Sequence, residues 1–229
     1  MNKIRKDKFV SNLIGYNCYI STNTTYIKNI TKLKRPFFMT LKSHKKIKIN
    51  KNKDQDLKIK LISNTVNFER KYKKKQVVYL NCRKATKQDI FQIKKIAKEK
   101  TSNSRFVKDI YISHNFKKKY RTEWVLNFFK KKRGDFLIVA HKNEKIYGFI
   151  LLVIKNSNFI IDLIVSSAKY QKRKVASSLI NHVNNTYMQK EQKILAGTQS
   201  DNLIAIKMYK KLGFIKKKRI IYTYHIHKL

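Results

Sequence analysis

The segment Gln171-Lys172-Arg173-Lys174-Val175-Ala176 lies between an apolar run, Phe159–Val165, and an amphipathic one. A loop that enters a helix there presents unpaired N–H groups and the positive end of the helix dipole, a cradle for a pyrophosphate. Lys172, Arg173 and Lys174 suit such a cradle, although their charge alone proves little in so basic a chain. Asn202, Ala205 and Tyr209 are spaced by three and four residues, so on a helix they share roughly one face, and Gly213-Phe214 then stops the helix and opens a strand. Asn202 either caps that helix or binds a ligand. Asp162 is the lone carboxylate of its apolar strand; it is a candidate base or amine ligand, or else a residue facing solvent or a lysine. Arg105 and Asp109 could meet a phosphate and a hydroxyl, or pair with each other at the surface. His225 and His227 alternate on the last apolar run, one expected partly exposed and one a candidate wall residue, and Trp124 is expected in the core, lining a pocket.

These residues need elements to hold them. The pattern predicts a strand at Val77–Asn81, a helix from Thr86 with Asp89 in its first turn, and a second helix over Asn115–Lys131. Strands follow at Phe136–Lys142, Lys145–Ile154 and Phe159–Val165, the first two joined by a tight Asn143-Glu144 turn. A helix over Gln171–Asn185, a strand at Lys193–Thr198, a helix over Asp201–Lys211 and a strand from Phe214 to Ile226 complete the order. That is a mixed α/β (α+β) domain over 78–229. Residues 1–77 are less regular: an apolar patch at Leu13–Ile20, a strand at Pro36–Leu41, a lysine run at Lys45–Lys53, and two short strands, Leu57–Leu61 and Val66–Phe68. The charged run Lys71–Lys75 is the best boundary between this small N-terminal lobe and the rest.

The chain has 229 residues, 42% of them hydrophobic, with 13 Tyr, 13 Phe, one Pro and five Gly, which excludes collagen, linker and disordered classes. No apolar run reaches the ~20 residues of a membrane span, and no membrane partner is expected. The net charge of +42 would suggest nucleic acid. However, the excess is mostly Lys, 46 against 9 Arg, and it is spread over both halves of the chain, so it reads as compositional bias with nonspecific attraction for anions and nucleic acid. Cys18 and Cys82 have no zinc-like spacing, so no metal site is expected and the thiols are read as free, in a cytoplasmic protein.

The order of elements, the Gln171–Ala176 loop and the Asn202…Tyr209…Gly213-Phe214 segment resemble a GNAT acyl-CoA-dependent N-acetyltransferase over about residues 79–229. Gln171 and Ala176 fit the family's Gln/Arg-x-x-Gly-x-Gly/Ala loop; Lys174 stands where glycine is expected, an awkward residue if φ is positive there. Ser104-Arg105-Phe106-x-x-Asp109, Tyr120…Trp124-x-x-Asn127, Ile161-Asp162-Leu163-Ile164, Gly197-Thr198-Gln199 and Tyr224-x-Ile226-His227 are similar to the subgroup that acetylates 4-amino sugars on dTDP. Phe37, Met39, Thr40, Leu41, Ile62 and Val66-x-Phe68-Glu69 resemble later strands of that subgroup's N-terminal subdomain.

The resemblance implies a GNAT-like mixed sheet flanked by helices, with the smaller N-terminal lobe beside it. It implies acetyl-CoA as co-substrate, held by Leu163, Ile164, Val165, Gln171, Lys172, Arg173, Lys174, Val175, Ala176, Asn202 and Tyr209. Tyr209 would be the acid that protonates the leaving thiolate, Asp162 a catalytic partner, and Arg105, Asp109 and Trp124 the acceptor's contacts. The acceptor is expected to be a small-molecule primary amine, a nucleotide sugar first; a homodimer is compatible. A protein or small-amine acetyltransferase is the competing enzyme reading. A basic protein that binds nucleic acid on a degenerate fold is the reading from another class, motivated by Lys174 and the charge.

Overall fold

The computed structural model describes residues 4–22, 30, 32–48, 56–99 and 104–228. In chain order the elements are β1 (Arg5–Lys6), α1 (Lys8–Ile14), β2 (Asn17–Ser21), β3 (Phe37–Ser43), β4 (Leu57–Lys71), β5 (Asn81–Lys84), α2 (Ile90–Glu99) and α3 (His114–Leu126). They continue with β6 (Phe136–Lys142), β7 (Lys145–Lys155), β8 (Asn158–Ser166), α4 (Val175–Tyr187), β9 (Lys193–Gln199), α5 (Leu203–Lys211) and β10 (Ile215–Lys228). The strands form one mixed sheet in the order β1-β2-β3-β10-β4-β9-β8-β7-β6-β5. Only β2/β3 and β8/β9 pair in parallel among the described residues. β10 lies between β3 and β4, so residues from 1–77 and 78–229 share a continuous hydrogen-bonded layer.

Helices cover both faces of the sheet, which is why β7 reads as an almost unbroken apolar run. Side chains alternate across it. Leu137, Val139, Phe149 and Leu151 pack with α2 and α3, whereas Ile138, Ala140, Ile150 and Leu152 pack with Val175, Leu179, Ile180 and Val183 of α4 and with α5. Beyond β4 the same division holds. Phe38 meets Val10 of α1 and Phe116 and Tyr120 of α3, while Phe37, Met39 and Leu41 join Tyr224 and Ile226 on the opposite face. Cys18 and Cys82 are both free.

The sequence pattern and the structure part in a few places. Val77–Leu80, read as strand, has no partner strand among the described residues; its backbone is held over α4 instead, with Tyr79 and Leu80 N–H donating to Ser178 Oγ at 3.1 Å and Asn181 Nδ2 donating to the Val77 carbonyl at 2.8 Å. Pairing with β6 begins only at Asn81. The runs at Leu57–Leu61 and Val66–Phe68 form one strand, because β10 is long enough to pair with both through a bulge at Thr223/Tyr224. Leu13–Ile20 is split by Gly15, whose φ of 94° ends α1 and turns the chain into β2. The second part of the lysine run, residues 49–53, lies outside the described residues.

Gly148 of β7 sits opposite Ser166, where β8 ends and the chain heads for α4. A Cβ there would stand 2.5 Å from the Val165 carbonyl oxygen and 2.7 Å from Val175 Cγ1. Only glycine lets the start of α4 approach the sheet this closely. Gly148→Ala should therefore lower stability by about 1–3 kcal/mol, the usual cost of overpacking, read as a reduced urea midpoint at unchanged slope.

Candidate functional site

Strands β8 and β9 pair through only three residues: Phe159 with Ile194, Ile160 with Leu195, and Ile161 with Ala196. Both then continue without each other. Leu163, Ile164 and Val165 stay paired with β7, and Gly197, Thr198 and Gln199 with β4. The cause is visible in the register: Leu152 pairs with Ile161 and Leu151 with Leu163, so Asp162 is the extra residue of a β-bulge. A bulge bends its strand and strengthens the local twist. It also inverts the alternation, since Phe159 and Ile161 pack toward α4 and α5 whereas Leu163 and Val165 pack toward α2 and α3. The result is a wedge whose two edges present backbone N–H and C=O groups that the sheet leaves unused.

Asp162 is held where the bulge aims it. Arg133 donates from Nε to Oδ2 at 2.6 Å and from a terminal nitrogen to Oδ1 at 2.5 Å, and Trp124 Nε1 donates to Oδ2 at 2.7 Å. The Arg133 guanidinium also lies 3.6 Å above the Trp124 ring. Asp162 and Trp124 are thus in direct contact, and both carboxylate oxygens are already engaged. Arg133 carried no signal of its own in a chain with 55 basic residues.

The loop that leaves β8 forms the second part of the site. Gln171, Lys172, Arg173 and Lys174 are all exposed, and α4 begins at Val175 instead of Gln171 because Lys172 and Lys174 have φ of 61° and 54°. Left-handed residues within such a turn point successive N–H groups inward, a nest for an anion. The first bond of α4 runs from Ser178 N–H to the Lys174 carbonyl at 2.9 Å, so the Val175, Ala176 and Ser177 amides precede it, and no side chain caps them. Lys174 takes up the positive φ that its place in the motif made awkward, and its ammonium rests 3.8 Å over the Tyr79 ring. The strain of a non-glycine residue in this region is on the order of 1 kcal/mol.

The third part comes from α5. Tyr209 is buried, with its ring 5.4 Å from Phe68 and 5.1 Å from Phe214. Phe68 pairs through its backbone with Ala196, the last β9 residue to touch β8, so the Tyr209 ring packs beside the residues at which the two strands part. Burial pushes its pKa well above the ordinary tyrosine value, which keeps the proton on the oxygen. Asn202 caps α5: its Oδ1 accepts from Ala205 N–H at 3.2 Å and its Nδ2 donates to Thr198 Oγ1 at 3.1 Å.

Arg105 and Asp109 do not pair. Asp109 is 1% exposed, its Oδ2 lying 2.5 Å from His225 Nδ1 and 2.8 Å from His227 Nε2 while Tyr111 N–H donates to Oδ1 at 3.1 Å. Residues 225 and 227 of one strand face the same side, so both histidines are buried, at 0% and 1%, where one was expected to be partly exposed. These three side chains are of metal-ligating type. Their contacts are hydrogen-bond lengths, shorter than the roughly 3.3 Å between ligand atoms around a tetrahedral ion with 2.0–2.1 Å bonds. The cluster ties segment 104–112 to β10. Arg105 instead lies over the Phe106 ring at 4.3 Å, its Nε buried without a partner.

The amides of the Lys172–Lys174 turn and of the start of α4 are of the kind that could receive a pyrophosphate. The model of the acetyltransferase (GNAT) family matches residues 99–214. A Bacillus subtilis (strain 168) protein, spore coat polysaccharide biosynthesis protein SpsD, is 27% identical over 139 residues. That match takes in 60% of this chain, and the chain spans only 47% of the relative's length. Among solved structures, a functionally unknown conserved protein from Staphylococcus epidermidis superposes with TM-score 0.67 over 100% of this chain and 93% of its own, at 11% identity. A GNAT-family acetyltransferase structure from Novosphingobium aromaticivorans gives TM-score 0.58 over 92% and 84%, at 10% identity. These two show the shared fold.

The buried cluster predicts a pH dependence. Burial drives the His225 pKa down to about 4, against the opposing pull of Asp109, while hydrogen bonds from the two imidazoles overcome burial and hold Asp109 well below the usual carboxylate range. A base with a lowered folded pKa stabilises the fold above its unfolded value near 6.5, and that contribution is lost as the pH falls toward 4; the Asp109 contribution follows below about 3.8. Stability should fall by on the order of 3 kcal/mol between pH 6.5 and 4 from His225 alone. Urea melts across this range should show the slope in the wild type and a flatter profile in His225→Phe.

Proposed function

The chain belongs to the acetyltransferase (GNAT) family, and from that premise we propose that it transfers acetyl from acetyl-CoA to a primary amine, by direct attack and without a covalent enzyme intermediate. The observation that carries the reading is the wedge between β8 and β9, with the amides of α4 at its rim and Tyr209 at its point. Leu163, Ile164 and Val165 offer backbone groups along one edge, one N–H of which would receive the charge that develops on the carbonyl oxygen. Gln171 to Ala176 hold the phosphates through N–H groups and the Lys172 and Arg173 side chains. As the amine nitrogen bonds to the carbonyl carbon and the carbon–sulfur bond breaks, Tyr209 gives its proton to the sulfur, and the proton of the attacking amine leaves to solvent. Asp162 acts as a positioning residue: with Arg133 it keeps β8 bent away from β9. Asn202 serves by capping α5 and orienting the helix that carries Tyr209.

We assign the acceptor to the nucleotide-linked amino sugars. The resemblance of the 104–109, 120–127 and 161–164 segments supports this, and so does a relative whose name places it in polysaccharide biosynthesis. Trp124 and Arg105 lie on the face of the sheet where such an acceptor would approach, with Asp109 bracing the wall behind them.

The test is release of free CoA thiol from acetyl-CoA in the presence of dTDP-4-amino sugars, simple amino sugars and lysine peptides. Turnover is expected with the nucleotide sugars and little with peptides; equal turnover with peptides would overturn the acceptor assignment. Tyr209→Phe keeps the ring packing and removes only the proton. Its kcat should drop by about 10²-fold or more, with acetyl-CoA affinity and thermal stability close to wild type. An unchanged kcat would remove Tyr209 from the chemistry.

A further inference from the structure

On β3, alternation sends Phe38, Thr40 and Lys42 to one face, with Phe37, Met39 and Leu41 on the other. The first face is the one covered by α1, α3 and segment 104–112. Lys42 is paired across the ladder with Thr223, two residues before His225. Phe38, two residues before Thr40, stands 6.1 Å from Phe106, and the Phe106 ring carries the Arg105 guanidinium. Lys42 and Arg105 are both partly buried here.

The carboxylates near this region are already engaged. Asp162 is held by Arg133 and Trp124, Asp109 is shared by His225 and His227, and Asp7 accepts from Val10 N–H at 3.1 Å to cap α1. Among the described residues neither Lys42 nor Arg105 has an ion-pair partner, and Arg105 Nε is a buried donor with nothing to bond. Withdrawing a cation from water without a counter-charge costs stability. Burial lowers the Lys42 pKa, with Arg105 and Arg133 adding to the fall, and the more weakly acting Asp162 and Asp7 carboxylates do not offset it. Two such cations on one wall are explained by an anion that arrives with a ligand.

We propose that Lys42 and Arg105 form an anion subsite on the acceptor side of the cleft, which receives a phosphate of the acceptor's nucleoside diphosphate. The inference rests on the nucleotide-sugar reading given above, and it assigns to the N-terminal part of the chain a role in acceptor selection. Asp162 has its charge neutralised by Arg133, so a phosphate entering beside it meets net positive charge. Lys42 supplies a point charge and Arg105 a planar fork, a complementary pair for phosphate oxygens.

The experiment is calorimetric titration of dTDP and of inorganic pyrophosphate into the full chain, at ~0.15 M salt and with CoA present in excess to fill the α4 loop. Wild type, Lys42→Met, Arg105→Gln and, as control, Lys169→Ala are compared. Lys42→Met and Arg105→Gln should each weaken dTDP at least tenfold, leave CoA affinity unchanged, and leave the melting temperature equal to wild type or higher, because an unpaired buried charge has been removed. Lys169→Ala should change nothing. Equal dTDP affinity in all four proteins overturns the subsite while leaving the acceptor reading intact. Pyrophosphate binding that depends on Lys42 and Arg105, with no gain from the thymidine moiety, upholds the anion subsite and refutes the nucleotide reading. If neither anion binds the wild type, both fall. A lower melting temperature in both variants, with unchanged anion affinity, would make these residues structural.

Discussion

The site depends on one residue too many in one strand. Asp162 has no partner across β7, so β8 bends at that point and its remaining residues swing from the α4 face to the α2 and α3 face. A straight β8 would continue its parallel ladder with β9 beyond Ile161 and Ala196, and the sheet would have no slot. The bulge persists because its side chain is fixed: two nitrogens of Arg133 and the indole of Trp124 converge on one carboxylate. Each diverging strand also keeps a partner on its outer side, so opening the middle of the sheet costs few hydrogen bonds.

Around that opening the remaining parts follow in sequence. Gly148 leaves room for α4 to start directly beyond the end of β8, which puts its uncapped amides at the rim of the slot. The return strand β9 runs along the far edge and delivers the chain to α5, where Asn202 fixes the helix start and Tyr209 packs back over Phe68. The last strand, β10, then inserts between β3 and β4 and brings His225 and His227 under Asp109. That cluster anchors segment 104–112, and with it Arg105. The first and last parts of the chain thereby build together the face proposed to receive the acceptor.

Much of this was legible from the residues. The strands Phe136–Lys142, Lys145–Ile154 and Phe159–Val165 stand where alternation and turn residues put them, because they are buried and have neighbours close in sequence. The Gln171–Ala176 loop and the Asn202-to-Phe214 segment stood out through their resemblance to a family's motifs, the loop departing from its pattern at Lys174. Val77–Leu80 misled because β-forming residues need a partner strand, and here they cover a helix instead. The start of α4 was placed too early because, although the motif marked Lys174 as a glycine position, nothing in Gln171–Lys174 declares that Lys172 also takes a positive φ. Asp162 stood out as a lone acid between Ile161 and Leu163, but a bulge is a property of two strands and cannot be read from one. Lys42 sent the same kind of signal, a lone charge in an apolar strand, and was lost among 46 lysines. The Asp109–His225–His227 contact spans more than a hundred residues and has no local signature at all.

On the proposed reading, the parted strands and the α4 terminus make a shaped cleft for acetyl-CoA, as opposed to a surface that merely attracts its phosphates. Titration of acetyl-CoA into the full chain at ~0.05 and ~0.3 M salt, followed by calorimetry, separates the two most directly, since contacts made by exposed charge alone are lost steeply with salt. A shaped cleft should give saturable one-to-one binding that weakens by less than about tenfold between these conditions. Binding that never saturates, or that disappears at the higher salt, would contradict it.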